Sequence, residues 1–287
     1  MITGASSGIG LATARACARV GMPVVLVARR AERLRAAADE IVRAGGRASV
    51  FEGDVADESV SRRAVDRCAD EFGSVYAVFA NAGYGVECPV EEMSDADVRR
   101  MFEVNFFSSL TLARAGLEHM RRAREGHILM CSSCLAKFAI PYFGVYSATK
   151  AAQNHIARAM ALELEPDGIS VSSVHPVGTR TEFFETTQRL SGDAPLVKHS
   201  SDFFMQTPER VAGAIVKCLQ RPRPEVWTSL GVRLGMAVCV AFPSLGDWGV
   251  RRMVRERLAS QRALAQKHGS LPGAAAETPV AVGAVRR

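Results

Sequence analysis

The sequence predicts a doubly wound α/β fold, in which one parallel sheet of about seven strands is covered by helices on both faces. Short apolar runs alternate with amphipathic helical patterns along most of the chain, and such alternation implies right-handed crossovers between parallel strands. A glycine-rich turn stands at the first strand–helix junction, and 287 residues suffice for one large α/β domain with a tail. In folds of this class, ligands bind beyond the carboxyl ends of the strands.

Each element follows from its local pattern, taken in chain order. Only Met1 and Ile2 precede Thr3, so the first strand is expected to be a stub or the end of a strand that starts upstream. Apolar or alternating runs predict the later strands at 24–28, 48–52, 75–81, 127–132, 169–175 and near 226–227. Helical periodicity and capping residues predict helices at 11–21, 31–46, about 59–72, from about 94, about 146–164 and after 207–208.

The chain is predicted to contain one main domain and a C-terminal extension. The domain covers residues 1–228 and includes a long segment, about 182–206, that follows the sixth strand. Residues 229–265 are predicted to form a helical extension. Residues 266–287 lack periodicity and are predicted to be disordered.

The formal net charge of +6 lies in the C-terminal tail. From residue 251 onward, eight Lys and Arg oppose two Glu, so the first 250 residues are neutral overall. The absence of a basic patch with interleaved aromatic residues argues against nucleic-acid binding. The basic helix that starts near Val250 is expected to pack against the domain or a second subunit, and peripheral contact with an anionic membrane surface is the less favoured alternative.

Seven cysteines occur at irregular spacing without a secretory segment, which predicts reduced thiols and a cytoplasmic location. Cys131 and Cys134 form a Cys-x-x-Cys pair. Because the pair follows an apolar run that is typical of a strand, two small buried residues are favoured over a redox pair. No second pair or ligand-spaced histidines accompany it, so no metal site is predicted.

The segment TGASSGIG, at 3–10, predicts a dinucleotide-binding turn. Glycines at 4, 8 and 10 let the backbone turn sharply and approach a ligand, and the following helix offers free N–H groups to a pyrophosphate. A turn required only for packing is the alternative. After the second strand, Ala28 stands where a carboxylate would bond the ribose of NAD, and Arg29 and Arg30 follow. Arginine suits a 2′-phosphate, which favours NADP(H), with NAD(H) as the alternative.

These motifs resemble the short-chain dehydrogenase/reductase family, in its NADP-preferring type, over about residues 2–227. They are TGASSGIG, Asp54-Val55, Asn81-Ala82-Gly83, Asn105, a serine after the fifth strand and Tyr146-x-x-x-Lys150. The resemblance implies a Rossmann fold and the catalytic residues Asn105, Ser133, Tyr146 and Lys150. It implies cofactor contacts from Gly4, Ser6, Ser7, Gly8, Ile9, Gly10, Arg29, Asp54, Val55, Asn81, Ala82, Gly83, Tyr146, Lys150, Pro176 and Thr181.

Three positions near these motifs leave alternatives open. Ser133 fits the family's spacing before the tyrosine, but Ser132 is adjacent. The family's Pro-Gly pair is interrupted here by one residue, as Pro176-Val177-Gly178. Thr181 keeps the family's distance of five residues from the proline, but the shifted glycine leaves the backbone path between them open. His175 precedes that proline, and a structural role is favoured over a catalytic one.

Tyr146 and Lys150 are four positions apart, which places them on one helix face. A lysine ammonium about 4 Å away is expected to lower the phenol pKa from about 10 by roughly 3 units. The resemblance implies that Tyr146 exchanges a proton with the substrate oxygen, that Ser133 hydrogen-bonds this oxygen and that Lys150 also holds the nicotinamide ribose. It further implies that Asn105 supports a water that relays the proton.

The predicted function is NADP(H)-dependent hydride transfer to or from a carbonyl or alcohol substrate. The apolar residues of 182–206 favour a hydrophobic substrate or simply pack a lid, and both interpretations stay open. The resemblance implies a homodimer or homotetramer. A regulator that senses the dinucleotide without turnover is the alternative function.

Overall fold

The protein, seen as a computed structural model, is described at residues 1–191 and 205–267. Its strands are β1 Ile2–Thr3, β2 Val24–Ala28, β3 Ala48–Glu52, β4 Ala77–Ala80, β5 Gly126–Cys131, β6 Ile169–His175 and β7 Glu225–Trp227. They form a parallel sheet in the order β3-β2-β1-β4-β5-β6-β7. The order reverses direction between β1 and β4, which confirms the doubly wound fold.

The helices alternate with these strands as the sequence predicts. The first five are α1 Gly8–Arg19, α2 Ala31–Arg43, α3 Glu58–Phe72, α4 Asp95–Phe102 and α5 Ser108–Ala123. The second five are α6 Gly144–Glu163, α7 Glu182–Ser191, α8 Pro208–Gln220, α9 Leu230–Ala241 and α10 Pro243–Lys267. Ser94 and Thr207 cap the starts of α4 and α8 by accepting a hydrogen bond from a backbone N–H.

Strand β1 occupies the centre of the sheet although it has only two residues. Ile2 pairs with Leu26 on one side and with Phe79 on the other, and the Met1 amine donates to the carbonyl oxygen of Ala77 at 2.9 Å. The short strand therefore delivers the chain directly into the glycine-rich turn, at the carboxyl edge of the sheet.

Both faces of the sheet carry apolar core because both faces are covered by helices. Leu26 points toward α1, α2 and α8, whereas its neighbours Val25 and Val27 point toward α3, α5 and α6. A third, smaller cluster lies at the carboxyl edge around Tyr146. The apolar side chains around the active site are thus separate from the two packing cores.

The C-terminal extension consists of α9 and α10 and adds little to the core. No residue of α9 is buried, although this helix touches the turn Cys134–Ala136 of the main domain. No single described helix is long and apolar enough to cross a membrane, but α9 and residues 243–252 together have that length and composition and are bent by 111°. Of the tail predicted to be disordered, only residues 266–267 are described, and they end α10.

Candidate active site

The glycine-rich turn leaves the start of α1 open toward a ligand. Gly4 and Gly8 have φ of +65° and +55°, in the left-handed region that favours glycine. Ser7, which precedes α1, makes no side-chain capping hydrogen bond. The first N–H groups of the helix therefore keep their capacity to bind an anion.

The turn is held against the end of β4 by side-chain hydrogen bonds. Thr3 Oγ1 accepts from the backbone N–H groups of Asn81 and Ala82 at 3.0 and 3.1 Å, and Asn81 Nδ2 donates to the Thr3 carbonyl oxygen at 3.0 Å. A Cβ atom on Gly10 would lie 2.5 Å from the Gly4 carbonyl oxygen. Ile9 packs against the adjoining core. These contacts fix the shape of the turn.

The structure brings Arg30, rather than the predicted Arg29, to this turn. Arg30 Nη2 donates to Ser6 Oγ at 2.9 Å and to Ser7 Oγ at 2.8 Å. Arg29 is more exposed, and its nearest acid is Asp54, with 4.0 Å between Nη1 and Oδ2. Sequence position alone does not distinguish two adjacent arginines, because their directions depend on how the chain leaves β2.

Asp54 and Val55 lie after β3, at the same edge of the sheet. Burial by itself would raise the pKa of Asp54, but the Ala56 N–H and the Arg100 guanidinium hold that pKa below its usual range. Arg100 donates to Asp54 Oδ2 at 2.7 Å. Val55 is buried. The pair is therefore held in place at the carboxyl edge of the sheet.

A carboxylate from α7 faces the arginines at the turn. Glu182 accepts from Arg30 Nη1 at 2.6 Å and also from Arg33, and the hydrogen bond from Arg30 is the main cause that lowers the pKa of Glu182. A cavity of about 450 Å³ lies here, lined by Ser6, Ser7, Gly8, Arg33, Thr181 and Glu182. Neither Glu182 nor Arg33 was predicted as a site residue.

The segment that departs from the family's Pro-Gly pattern is anchored at both ends. The Pro176 carbonyl oxygen accepts from Cys134 N at 3.1 Å, and the Gly178 carbonyl oxygen accepts from Gln206 N at 2.8 Å. Thr181 lies against the glycine-rich turn, where a Cβ atom on Gly8 would be 3.1 Å from its methyl group. The displaced glycine is thus compatible with bringing Thr181 to the predicted site.

Tyr146 lies in an aromatic and apolar pocket at the carboxyl edge. Its ring packs edge-to-face on Phe143, with centroids 5.9 Å apart, and at 5.5 Å on Phe183 from α7. Burial raises the pKa of the Tyr146 phenol above its usual value, and the hydrogen bond with Ser133 only partly opposes this. The expected lowering of that pKa by lysine is therefore wrong.

The direction of the Lys150 ammonium explains this correction. Lys150 Nζ donates to the Cys131 carbonyl oxygen at 2.8 Å and to Gln153 Oε1 at 3.0 Å, and it lies 5.6 Å from the centroid of the Tyr146 ring. Burial lowers the pKa of Lys150 to about 8. The ammonium is thus directed toward the end of β5 and the next turn of α6 rather than toward the phenol.

The two adjacent serines make different contacts. Ser132 Oγ donates to the Lys150 carbonyl oxygen at 2.7 Å, whereas Ser133 Oγ accepts from Leu135 N at 3.1 Å and acts to lower the pKa of Tyr146. His175 Nδ1 donates to the Ser133 carbonyl oxygen at 2.9 Å. This geometry favours Ser133 as the site residue and gives His175 a structural role behind it.

Asn105 lies in a π-helical turn, Glu103–Phe107, between α4 and α5; such turns occur frequently at functional sites. It is fully buried. Its amide donates to the Tyr84 carbonyl oxygen and to Thr149 Oγ1, and its Oδ1 accepts from Tyr84 N. A Cβ atom on Gly83 would lie 3.1 Å from Asn105 Oδ1 and 3.3 Å from Lys150 Nζ. Asn105, Gly83 and Lys150 therefore meet in one place.

The Cys-x-x-Cys pair lies in the site but has the properties of packing residues. Burial raises the pKa values of Cys131 and Cys134, which keeps both as thiols of low reactivity. All seven cysteines are free. Within the described ranges, His, Cys, Asp and Glu side chains form no group of three that could hold a metal ion.

Two solved structures resemble the whole fold. The alcohol dehydrogenase of the archaeon Thermococcus sibiricus, complexed with 5-hydroxy-NADP, is 31% identical and superposes with a TM-score of 0.69 over 79% of this chain and 93% of its own. A short chain dehydrogenase/reductase of Burkholderia phymatum, in complex with NAD, has a TM-score of 0.75 over 96% of each chain. Because the two sequences are only 20% identical, this similarity supports the fold and nothing more specific.

Sequence comparison identifies the family. The family model for short chain dehydrogenases matches residues 1–190. A 3-ketodihydrosphingosine reductase of Bacteroides thetaiotaomicron is 30% identical over 261 residues, which are 86% of this chain and 91% of that protein. The chain therefore belongs to the short-chain dehydrogenase/reductase family.

Proposed function

We propose that the protein is an NADP(H)-dependent oxidoreductase that interconverts a carbonyl group and an alcohol on an apolar substrate. The observation that carries this proposal is the meeting of Ser133, Tyr146 and Lys150 beyond the carboxyl end of β5. The Ser133 hydroxyl lies near enough to the Tyr146 phenol to lower its pKa, and Lys150 Nζ lies 5.6 Å from the centroid of the Tyr146 ring. Negative charge develops on a carbonyl oxygen when it accepts a hydride. A proton donor, a second hydrogen-bonding group and a nearby cation would stabilise that charge.

The residues at the glycine-rich turn fit a nicotinamide dinucleotide. The uncapped start of α1 suits a pyrophosphate, and the arginines after β2 suit a 2′-phosphate. The relative from Thermococcus sibiricus, complexed with 5-hydroxy-NADP, supports the choice of NADP(H). When bound, such a cofactor would supply or accept the hydride.

In the direction of reduction, Tyr146 would donate its phenolic proton to the carbonyl oxygen. Burial keeps the pKa of this phenol high, so the proton-bearing form required of a donor is present at neutral pH. Ser133 would hold the same oxygen. Lys150 would hold the nicotinamide ribose, and the buried Asn105 keeps the neighbouring backbone of Tyr84 in place.

An apolar substrate is supported by the surroundings of Tyr146. Val86, Phe143 and Phe183 belong to the cluster that contains the tyrosine, and Phe183 comes from the start of the segment predicted to contact substrate. The relative named 3-ketodihydrosphingosine reductase supports a ketone carried on an apolar chain. Phe203 and Phe204, also predicted for this segment, lie outside the described residues.

The test is NADPH consumption with a panel of long-chain ketones and aldehydes, for the wild type and for Tyr146→Phe. We expect turnover by the wild type and a loss of at least about 10²-fold in the variant, with NADPH affinity retained. Turnover unchanged by the substitution would contradict the assignment of Tyr146. Tight NADPH binding without turnover on any substrate of the panel would instead favour the dinucleotide-sensing regulator.

A further inference from the structure

Helix α9 is apolar yet entirely outside the core. Its sequence, LGVRLGMAVCVA, contains one charged residue, Arg233, and none of its residues is buried. Leu230, Leu234 and Val238 are 67%, 59% and 44% exposed, and their spacing of four residues puts them on one face. Val240, which this spacing places on a different side of the helix, is 56% exposed.

The exposed surface continues onto α10. Phe242, Leu245 and Trp248 are 65%, 55% and 66% exposed. The two helices are bent by 111°, so these side chains extend the apolar face of α9 around a corner. We call Leu230, Leu234, Val238, Phe242, Leu245 and Trp248 the apolar hairpin surface. Contiguous exposed apolar surface of this kind marks a site of interaction.

Positive charge borders the apolar hairpin surface. Arg233, Arg251 and Arg255 are exposed, and Asp247 is the only acidic residue between 226 and 255. Counted from residue 251 onward, the chain carries a net charge of +6. An apolar surface with flanking arginines and a tryptophan complements an anionic lipid surface, where the apolar groups enter the acyl boundary and the cations meet headgroups.

The shape of the hairpin distinguishes a membrane from a protein partner. A protein partner usually covers one stripe of a helix, whereas α9 exposes apolar side chains on two sides, at Val238 and Val240, and keeps only Val232, Met236 and Cys239 half-buried. A helix of 12 residues is about 18 Å long, too short to span an acyl layer of about 30 Å. The bend then turns the chain away, which suits a hairpin lying in the interface.

We propose that the apolar hairpin surface docks the protein on anionic membranes. The hairpin lies against the segment that follows Ser133: α9 touches the turn Cys134–Ala136, and a Cβ atom on Gly246 would lie 2.6 Å from the ring of Phe138. If the proposed function holds, docking at this position presents the apolar pocket around Tyr146 to molecules dissolved in the bilayer. The docking itself does not depend on that function.

Flotation of the full chain tests the proposal, with phosphatidylcholine vesicles that contain or lack phosphatidylglycerol. We expect flotation with the anionic vesicles, weakened in high salt, and loss of at least tenfold in partitioning for Leu234→Asp/Val238→Asp. Arg251→Gln should weaken binding by roughly fivefold. In a Trp227→Phe background, the emission of Trp248 should shift to shorter wavelength on binding.

The control is Val20→Asp/Val42→Asp, which changes two exposed valines outside the hairpin and should float like the wild type. NADPH binding by every variant checks that it is folded, and turnover on a water-soluble ketone tests the proposed function separately. Absence of flotation, or flotation unchanged in Leu234→Asp/Val238→Asp, would overturn the proposal. A lipid-free dimer that this variant converts to a monomer would assign the surface to a second copy instead.

Discussion

The ammonium of Lys150 lies 3.0 Å from Oε1 of Gln153, one turn further along α6. Gln153 Nε2 donates in turn to Ser109 Oγ at 2.7 Å, and Ser109 Oγ donates to the Asn105 carbonyl oxygen at 2.9 Å. Gln153 and Ser109 are almost completely buried. An unbroken chain of hydrogen bonds therefore connects the Lys150 ammonium, through Gln153 and Ser109, to the Asn105 carbonyl group in the π-helical turn.

This relationship predicts opposite effects of two substitutions at Gln153. Because burial lowers the pKa of Lys150 to about 8, activity that requires the ammonium should fall as pH rises through that region. Gln153→Leu removes an acceptor and should lower the pKa of Lys150 further, whereas Gln153→Glu should raise it, each by about one unit. The pH dependence of kcat measures both shifts. A merely structural role would reduce kcat without moving the alkaline limb.

The contacts of the two arginines after β2 predict unequal contributions to NADPH affinity. Arg30→Ala should weaken NADPH binding by about 10- to 100-fold, since it removes charged hydrogen bonds to a phosphate. Arg29→Ala should have a smaller effect, because Arg29 does not contact the serines of the turn. Fluorescence titration with NADPH and NADH compares the two, and NADH binding is the internal control. Equal losses for both cofactors would refute a role in 2′-phosphate recognition.

Glu182 should compete with the cofactor phosphate for the arginines. Its carboxylate contacts Arg30 and Arg33, so Glu182→Gln should tighten NADPH binding by a few-fold, a size typical of solvent-exposed ion pairs. NADH affinity should stay within about twofold. Asp167→Asn removes another exposed ion pair, with Arg121, and should change neither affinity. Weaker NADPH binding in Glu182→Gln would show that Glu182 assists the cofactor rather than excluding it.

The ion pair of Glu225 and Lys137 predicts a pH-dependent contribution to stability. Burial would raise the pKa of Glu225, but hydrogen bonds from Lys137 and Trp227 and the Lys137 charge lower it from 4.5 to about 2. A carboxyl group with a lowered pKa in the folded state stabilises the protein above its unfolded pKa, and this contribution is lost as pH falls from about 4.5 to 2.

Glu225→Gln should therefore lower the free energy of unfolding by about 2 kcal/mol at pH 7, after allowance for solvent screening. Urea unfolding at several pH values measures it. The difference from the wild type should diminish on acidification below about pH 4. Glu209→Gln, which changes a carboxylate outside this ion pair, serves as the control. A difference that stays constant with pH would assign the loss to packing instead of charge.

The order of the elements is predictable from the sequence because it depends on local patterns. A strand covered on both faces is a short apolar run, as in 24–28 and 169–175, and an amphipathic helix shows its period in the next segment. A strand ends earlier than the sequence predicts where a backbone N–H bonds a side chain instead of the neighbouring strand. Asn81, predicted within a strand, lies outside β4, and its N–H donates to Thr3 Oγ1.

The motif residues were also predictable, because the carboxyl ends of parallel strands lie at one edge of the sheet. The sequence by itself determined that the glycine-rich turn, one serine of the pair Ser132 and Ser133, and the Tyr146–Lys150 pair would converge there. Gln153 could have been found by its spacing from Lys150, since residues three apart share a helix face. The sequence contains no comparable signal for Ser109.

Only the tertiary structure decided the directions of the side chains and the exposure of the extension. Arg30 and Glu182 are 152 residues apart in sequence, so no local pattern could select Arg30 over Arg29. The direction of Lys150 depends on acceptors that β5 and α6 bring together. The exposure of α9 became visible only in three dimensions, because hydrophobicity shows that a residue avoids water but not what covers it.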